Sequence, residues 1–177
     1  MRTRTSALCG AMILAACGAA SAHVTLEVTK APVGSTYKAV LRVPHGCEGS
    51  ATVAIRVQIP DGMIAVKPMP KPGWELSTRS EPYAQPVKYF EDTLSEGVKE
   101  ISWSGGKLLD AHYDEFVFVG TIAEELGGGQ TIHFPVVQEC EKGVHRWIEI
   151  PTGKHADGHG AGSAEPAAAL RLLPKKK

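Results

Sequence analysis

The chain has 177 residues, with 19 basic and 19 acidic side chains, so its formal charge is zero. This length suffices for one domain with a hydrophobic core, and a second domain is not needed. The balanced charge argues against nucleic acid or an anionic membrane surface as the partner. After the first 22 residues, no segment approaches the roughly 20 continuous apolar residues that a membrane span requires, so we expect no span in the mature form.

The first 22 residues have the pattern of an export signal. Arg2 and Arg4 precede an apolar stretch over 6–16, and small residues at 20–22 form a cleavage site. We therefore predict a signal peptide over 1–22, a periplasmic location, and a mature chain that begins at His23 and carries 17 basic and 19 acidic residues. A competing interpretation is a lipobox over 14–17. In that case Cys17 is lipidated and His23 is internal.

Alternation of apolar and polar residues recurs through the mature chain and predicts many short strands. The predicted strands cover residues 24–28, 37–43, 53–59, 64–67, 74–78, 87–90, 98–103, 115–122, 131–137, 146–150 and 167–173. Pro135 interrupts its strand, which indicates an edge strand or a bulge. No segment has a convincing amphipathic helical pattern. The predicted fold is therefore all-β, an antiparallel β-sandwich of immunoglobulin-like type.

The domain boundaries follow from composition. Residues 23–152 are predicted to form the β-sandwich domain. Residues 153–164 are rich in glycine, alanine, serine and histidine and are predicted to form an excursion, after which a last strand returns to the same domain.

Two cysteines remain after removal of the leader, which takes Cys9 and Cys17 with it. In an oxidising compartment, Cys47 and Cys140 are expected to form one disulfide that closes a long loop. The alternative is a thiolate metal site, for which two widely spaced cysteines are a weak motif.

A histidine at the start of a mature chain has a metal-binding capacity that internal histidines lack. The α-amine and Nδ1 of His23 can close a chelate ring on one metal ion, and nitrogen ligands in a planar set favour Cu(II). The plainer alternative is that His23 merely follows the cleavage site.

A carboxylate is the expected further ligand. Glu27 is unsuitable because four strand residues place it roughly 13 Å from His23. Glu48 is the better candidate, since it follows Cys47 in a turn that a disulfide to Cys140 would hold against the chain leading to Trp147. The alternative for Glu48 is a solvated loop carboxylate.

The remaining histidines and tryptophans give no clear metal or catalytic pattern. Trp74 and Trp103 are predicted to be structural, and Trp147 taken alone to be core or rim packing. The tail pair His155 and His159 is predicted to bind metal weakly at most. Four other histidines lack metal spacing and are predicted to be hydrogen-bonded or solvent-facing: His45, His112, His133 and His145. No nucleophile elbow, metalloprotease motif or phosphate loop is present, so we expect a binding protein rather than an enzyme.

Several ordered motifs together resemble the YcnI-like family of exported bacterial copper-binding proteins. They are residues 23–26 (HVTL), 44–50 (PHGCEGS), 72–74 (PGW), 101–106 (ISWSGG), 112–116 (HYDEF) and 134–138 (FPVVQ), followed by Trp147. The resemblance covers essentially the whole mature chain. It implies an immunoglobulin-like sandwich with a monohistidine brace, in which the amine and Nδ1 of the first residue and a glutamate bind one Cu(II) beside a tryptophan.

Carried onto this chain, the resemblance implies His23 and Glu48 as metal ligands, Trp147 as the residue that shapes the site, and one Cu(II) per monomer. The implied role is a periplasmic copper chaperone or buffer, with other copper chaperones or membrane copper transporters as partners. This chain lacks the C-terminal anchor of some relatives, so we expect a freely diffusing monomer. Two alternatives stay open. One is a copper-dependent redox enzyme similar to the lytic polysaccharide monooxygenases, and the other is a structural envelope protein with an incidental site.

Overall fold

The computed structural model describes residues 23–151 and 165–175. The predicted signal peptide and the histidines at 155 and 159 lie outside these residues. Within them, all regular secondary structure is strand: β1 (Thr25–Leu26), β2 (Lys30–Pro32), β3 (Thr36–Val43), β4 (Thr52–Gln58), β5 (Met63–Pro68), β6 (Glu75–Tyr89), β7 (Asp92–Leu108), β8 (Asp114–Ile122), β9 (Thr131–Phe134), β10 (Val136–Cys140), β11 (Val144–Trp147) and β12 (Ala168–Leu173). This confirms the predicted all-β class. The described residues contain no helix whose length and hydrophobicity would allow it to cross a membrane.

The strands form two larger sheets and one small one. One sheet has the order β1-β3-β8-β5, the second β11-β10-β4-β7-β6, and the third β2-β12-β9. Neighbouring strands are antiparallel except β2 and β12, which are parallel. The final strand predicted over 167–173 is therefore present as β12, in a sheet with strands from both ends of the chain.

The core fills the space between the two larger sheets, where alternating side chains from facing strands meet. Trp103 from β7 packs edge-on against Phe116 from β8, with ring centres 5.5 Å apart, and both side chains are fully buried. The Trp103 indole N–H donates to the Met69 carbonyl at 3.0 Å, so the one polar group of this buried side chain is paired. The structural role predicted for Trp103 is confirmed.

Some predicted strands have different limits in the structure. The strand predicted over 24–28 is reduced to the two residues of β1, and β2 was not predicted. The strands predicted over 74–78 and 87–90 belong to one long strand, β6, which forms a hairpin with β7. Most of β6 is exposed at the edge of its sheet. Since neither face is consistently buried, its sequence lacks the period-two signal of a half-buried strand.

Pro135 marks a change of sheet. The single strand predicted over 131–137 is divided there, so that β9 pairs with β12 at the edge of the small sheet, whereas β10 pairs with β4 and β11. Proline cannot donate a ladder hydrogen bond, which explains why the chain leaves one sheet at this residue. The Pro135 carbonyl still accepts a hydrogen bond from the Gln58 N–H at 2.9 Å.

The disulfide predicted between Cys47 and Cys140 is present, with the two Cα atoms 6.0 Å apart. It connects the loop between β3 and β4 to the end of β10. A bond between residues separated by 93 positions strongly restricts the unfolded chain.

Replacing both cysteines, in Cys47→Ser/Cys140→Ser, should lower the free energy of unfolding by about 2–4 kcal/mol because the unfolded state regains the entropy of a long open loop. Urea denaturation at neutral pH measures the change. The reduced wild-type protein serves as the control and should lose a similar amount, and an unchanged denaturation midpoint in both samples would contradict the expectation.

Candidate metal centre

His23 lies two residues before a short strand that is firmly attached to the sandwich. Val24 and Leu26 are buried, and β1 pairs with β3 with Leu26 opposite Leu41. Just beyond β1, the Tyr37 hydroxyl donates to the Val28 carbonyl at 2.5 Å. The side chain of His23 is half-buried, so this histidine is held against the protein surface rather than projecting into solvent.

Trp147 provides the surface against which His23 packs. The ring centres of His23 and Trp147 are 5.3 Å apart with an angle of 61° between the ring planes. Trp147 is almost fully buried at the end of β11, opposite Val136 of β10. The structure thus brings together two of the three site residues that the sequence predicted, from opposite ends of the described segment 23–151.

One buried glutamine holds the indole in place. Gln138 Oε1 accepts a hydrogen bond from Trp147 Nε1 at 3.0 Å. The Gln138 amide nitrogen donates to the carbonyl of His45 at 2.7 Å and to the hydroxyl of Thr52 at 2.8 Å. Because the indole nitrogen only donates and a carbonyl only accepts, these partners allow one orientation of the amide.

Glu48 lies in a tight turn. The Cys47 N–H donates to the Ser50 carbonyl at 2.9 Å and the Ser50 N–H to the Cys47 carbonyl at 2.8 Å. The two central residues, Glu48 and Gly49, have φ values of 48° and 85°. Positive φ at both positions is the type I′ pattern, for which asparagine followed by glycine is the preferred pair. Gly46 is also required, since a Cβ there would lie 2.0 Å from the Ser50 carbonyl oxygen.

A glutamate at this position costs folding free energy. The left-handed region is unfavourable for a non-glycine residue by roughly 1–2 kcal/mol, and a glutamate lacks the short polar side chain that makes asparagine tolerable there. Glu48 is exposed and receives no compensation from burial. A strained residue of this kind gives a reason to look for a function of its carboxylate.

A cleft of about 540 Å³ runs between this turn and the β10–β11 hairpin. Glu48, the disulfide residue Cys47 and His145 are among the residues that line it. Glu48 and His145 therefore line the same cleft, and the pairing of Glu48 with His23 stays a prediction.

His145 extends the row of rings that begins at His23. Its ring stacks on Trp147, with ring centres 4.8 Å apart and an interplanar angle of 26°. Its Nδ1 is 2.8 Å from Glu165 Oε1, and the ring centre of His45 is 6.2 Å away. Both His45 and His145 make the hydrogen bonds that were predicted for them, and folding also brings their rings close together, which their positions in the sequence did not indicate.

The contacts of His145 with Trp147 and Glu165 were not predicted from the sequence, although the spacing between His145 and Trp147 was visible there. His145 and Trp147 are two residues apart on a strand, so their side chains are on the same face. Glu165 comes from a different part of the chain, and nothing in its local sequence indicates that it pairs with His145.

The donor atoms available suit a borderline metal ion. The amine and imidazole nitrogens of a mature terminal His23, with a carboxylate, form a nitrogen and oxygen set of the kind that binds Cu(II). Trp147 uses its N–H on Gln138, so its contact with His23 is between the rings. Among residues 23–151 and 165–175, no group of three or more histidine, cysteine, aspartate or glutamate side chains is arranged to hold a metal ion.

Comparison with known protein families shows to which family the chain belongs. Residues 23–172 match a family described as domain of unknown function DUF1775. The chain belongs to the DUF1775 family. This is the YcnI-like family domain, which confirms the resemblance found in the sequence motifs. The matched region of the DUF1775 domain begins at His23.

Structural comparison supports the fold of this DUF1775 domain. A crystal structure of an uncharacterized protein from Nocardia farcinica, described as having an immunoglobulin-like fold, covers 86% of this chain and 99% of its own. The TM-score is 0.63 and the sequence identity is 22%. The immunoglobulin-like prediction is therefore confirmed. No curated protein matches the chain significantly.

The hydroxyl of Tyr37 should make stability sensitive to alkaline pH. Burial, and secondarily the charge of Glu27, raise the pKa of Tyr37 above its ordinary value. The folded state thus favours the neutral phenol. The contribution of Tyr37 to the free energy of unfolding is fully present below the unfolded pKa of about 10, and it is lost as pH rises through the higher folded pKa. Tyr37→Phe should lower stability at pH 7 by about 1 kcal/mol through loss of the bond to Val28, and flatten the decline above pH 10.

Urea denaturation at pH 7, 9 and 10.5 measures both effects. Tyr89→Phe, at the end of β6, is the matched control and should follow the wild-type curve. An alkaline decline of the same steepness in Tyr37→Phe would show that another group causes it.

Proposed function

We propose that the protein binds one Cu(II) ion in the periplasm and serves copper homeostasis as a chaperone or buffer. The ligands are the α-amine and Nδ1 of a mature terminal His23 and the carboxylate of Glu48, and Trp147 forms the wall of the site. Membrane copper transporters or other periplasmic copper chaperones are the partners that this role requires.

One observation carries the proposal. His23, the first residue of the matched family domain, has its ring 5.3 Å from the ring of Trp147. Trp147 is buried and hydrogen-bonded through Gln138, so its position does not depend on a bound metal. A half-buried histidine packed against a fixed ring has lost much of its rotational freedom, which reduces the entropy lost on metal binding.

The turn that carries Glu48 supports its role as a ligand. The turn is fixed by two backbone hydrogen bonds and by the disulfide of Cys47, so the strained backbone of Glu48 is held in place. Strain that persists in such an over-determined setting is typical of functional positions. A carboxylate attached to a rigid turn loses less entropy on binding a metal than one on a free loop.

The proposed compartment agrees with the cysteine chemistry. A disulfide between residues 93 positions apart persists in oxidising compartments such as the bacterial periplasm and is rare in reducing ones. Copper arriving there in its Cu(II) form meets the nitrogen and oxygen ligands that it prefers.

The mature protein beginning at His23 should bind one Cu(II) tightly, and a single added glycine before His23 should weaken binding about as much as His23→Ala. The added residue converts the amine to an amide, which cannot donate a lone pair to the metal without loss of its proton. Isothermal titration gives the stoichiometry and affinity, and electron paramagnetic resonance should show one type-2 centre with nitrogen coupling.

Two results would contradict this proposal. Unchanged Cu(II) affinity in the extended protein would show that the amine is not a ligand. Two equally tight sites would contradict a single brace. Copper-dependent oxidation of a polysaccharide by the mature protein would instead support the redox enzyme that the sequence left open.

Glu48→Asn should have opposite effects on stability and on copper binding. Asparagine suits the left-handed backbone of the turn, so the metal-free protein should gain about 0.5–1 kcal/mol in free energy of unfolding. Loss of the charged carboxylate should weaken Cu(II) binding by about 10-fold or more. Glu48→Gln should weaken Cu(II) similarly without the gain in stability, because glutamine retains the unfavourable backbone.

Two controls separate these effects. Phe90→Asn relieves a similar left-handed residue, with φ of 53°, at the exposed tip of the β6–β7 hairpin, and should raise stability without a change in copper affinity. Glu27→Gln removes an exposed carboxylate close to His23 in sequence and should leave the metal site intact. If Glu48→Gln binds copper as the parent does, the carboxylate ligand lies elsewhere.

A further inference from the structure

His145 has the orientation of a metal ligand, although the proposed brace does not use it. Its Nδ1 lies 2.8 Å from Glu165 Oε1, and an ionised carboxylate only accepts hydrogen bonds. The Nδ1 atom therefore carries the proton and Nε2 carries the lone pair. Metal-binding histidines almost always donate their second ring nitrogen to a carboxylate or carbonyl in this manner, which fixes the tautomer and increases the basicity of the ligating nitrogen.

Glu165 is itself held in place. Its second carboxylate oxygen accepts the Arg146 backbone N–H at 3.0 Å. The imidazole is fixed on its face as well, by stacking on Trp147.

Glu48 and His45 carry further donor atoms. Glu48 lines the same cleft of about 540 Å³. The ring centre of His45 is 6.2 Å from that of His145. Two imidazoles that bind one ion at about 2.0–2.1 Å have ring centres roughly 4.5–6.4 Å apart, so the separation of His45 and His145 lies near the upper end of that range. Its Nδ1 donates to the Gly46 carbonyl at 2.5 Å, which makes Nε2 its basic nitrogen too.

We propose that His145, oriented by Glu165, is the principal ligand of an auxiliary site for a divalent transition-metal ion, with Glu48 as its second ligand. Imidazole and carboxylate donors suit Cu(II) and Zn(II). Trp147 contacts the rings of both His23 and His145, so the auxiliary site adjoins the proposed brace. The inference rests on the proposed function only through Glu48, which would serve both sites, and it does not require His23 to be a ligand.

The test uses a mature protein that lacks the imidazoles of the brace and of the tail, with His23, His155 and His159 each replaced by alanine. Titration with Cu(II) alone, and separately with Zn(II), should show one weak site in this background. His145→Phe should remove that site, and Glu165→Gln should weaken it by about 10-fold because the amide orients the imidazole less strongly. His112→Phe, at an exposed position outside the cleft, should bind as the background does.

Phenylalanine is chosen at 145 because it retains a ring to stack on Trp147. An unchanged melting temperature and tryptophan fluorescence in His145→Phe would show that the loss of metal is not a loss of structure. A second measurement avoids any substitution at 145: in the background protein, Cu(II) should broaden the ring proton resonances of His145 before those of His112 and His133.

Each outcome is decisive. Equal Cu(II) binding in the background and in its His145→Phe variant, no binding in the background, or broadening that spares His145 would overturn the auxiliary site. Failure of the brace gives a different result, in which the wild-type mature protein binds no tight copper while the weak site that depends on His145 persists.

Discussion

The geometry of the candidate site depends on the hydrogen bonds of one buried amide, that of Gln138. This side chain is 1% exposed, and it joins the indole of β11, the backbone of the loop before β4, and the hydroxyl of Thr52 in β4. Each partner lost would leave a buried polar group unpaired, at a cost of about 1–3 kcal/mol. The ring of Trp147 and the loop that begins at His45 are therefore positioned by the same residue.

The disulfide provides a second connection between these elements. Gln138 fixes the loop at His45, and two residues further along the disulfide of Cys47 fixes it again, to the last residue of β10. A segment attached at two points on the same strand has little freedom to change its distance from that strand. The turn that carries Glu48, which lines the cleft together with His145, therefore has a defined position relative to β10, which a ligand on a mobile loop would lack.

Local sequence patterns predicted the strands whose faces differ in burial, such as β3, β4 and β8, because burial of one face produces the alternation. They predicted only the two ends of β6, most of which is exposed, and they did not predict that one strand would be divided between two sheets at Pro135. The contact of His23 with Trp147 followed from a family resemblance, since residues so far apart in sequence have no shared local signal. The left-handed backbone of Glu48 opposes its own propensity, and Glu165 approaches His145 from beyond a long excursion. Neither of these two features could be predicted from local sequence patterns.

The free-energy cost of the strained backbone at Glu48 has to be compared with the stability that its surroundings contribute. A left-handed glutamate costs roughly 1–2 kcal/mol, whereas the disulfide beside it contributes about 2–4 kcal/mol, so the turn can retain an unfavourable residue without unfolding. If stability alone governed this position, asparagine would replace glutamate at no structural cost, because a side chain here is exposed and makes no core contact. What asparagine cannot supply is a negative charge. The carboxylate in the cleft is thus the property that distinguishes the residue present from the residue that the backbone favours.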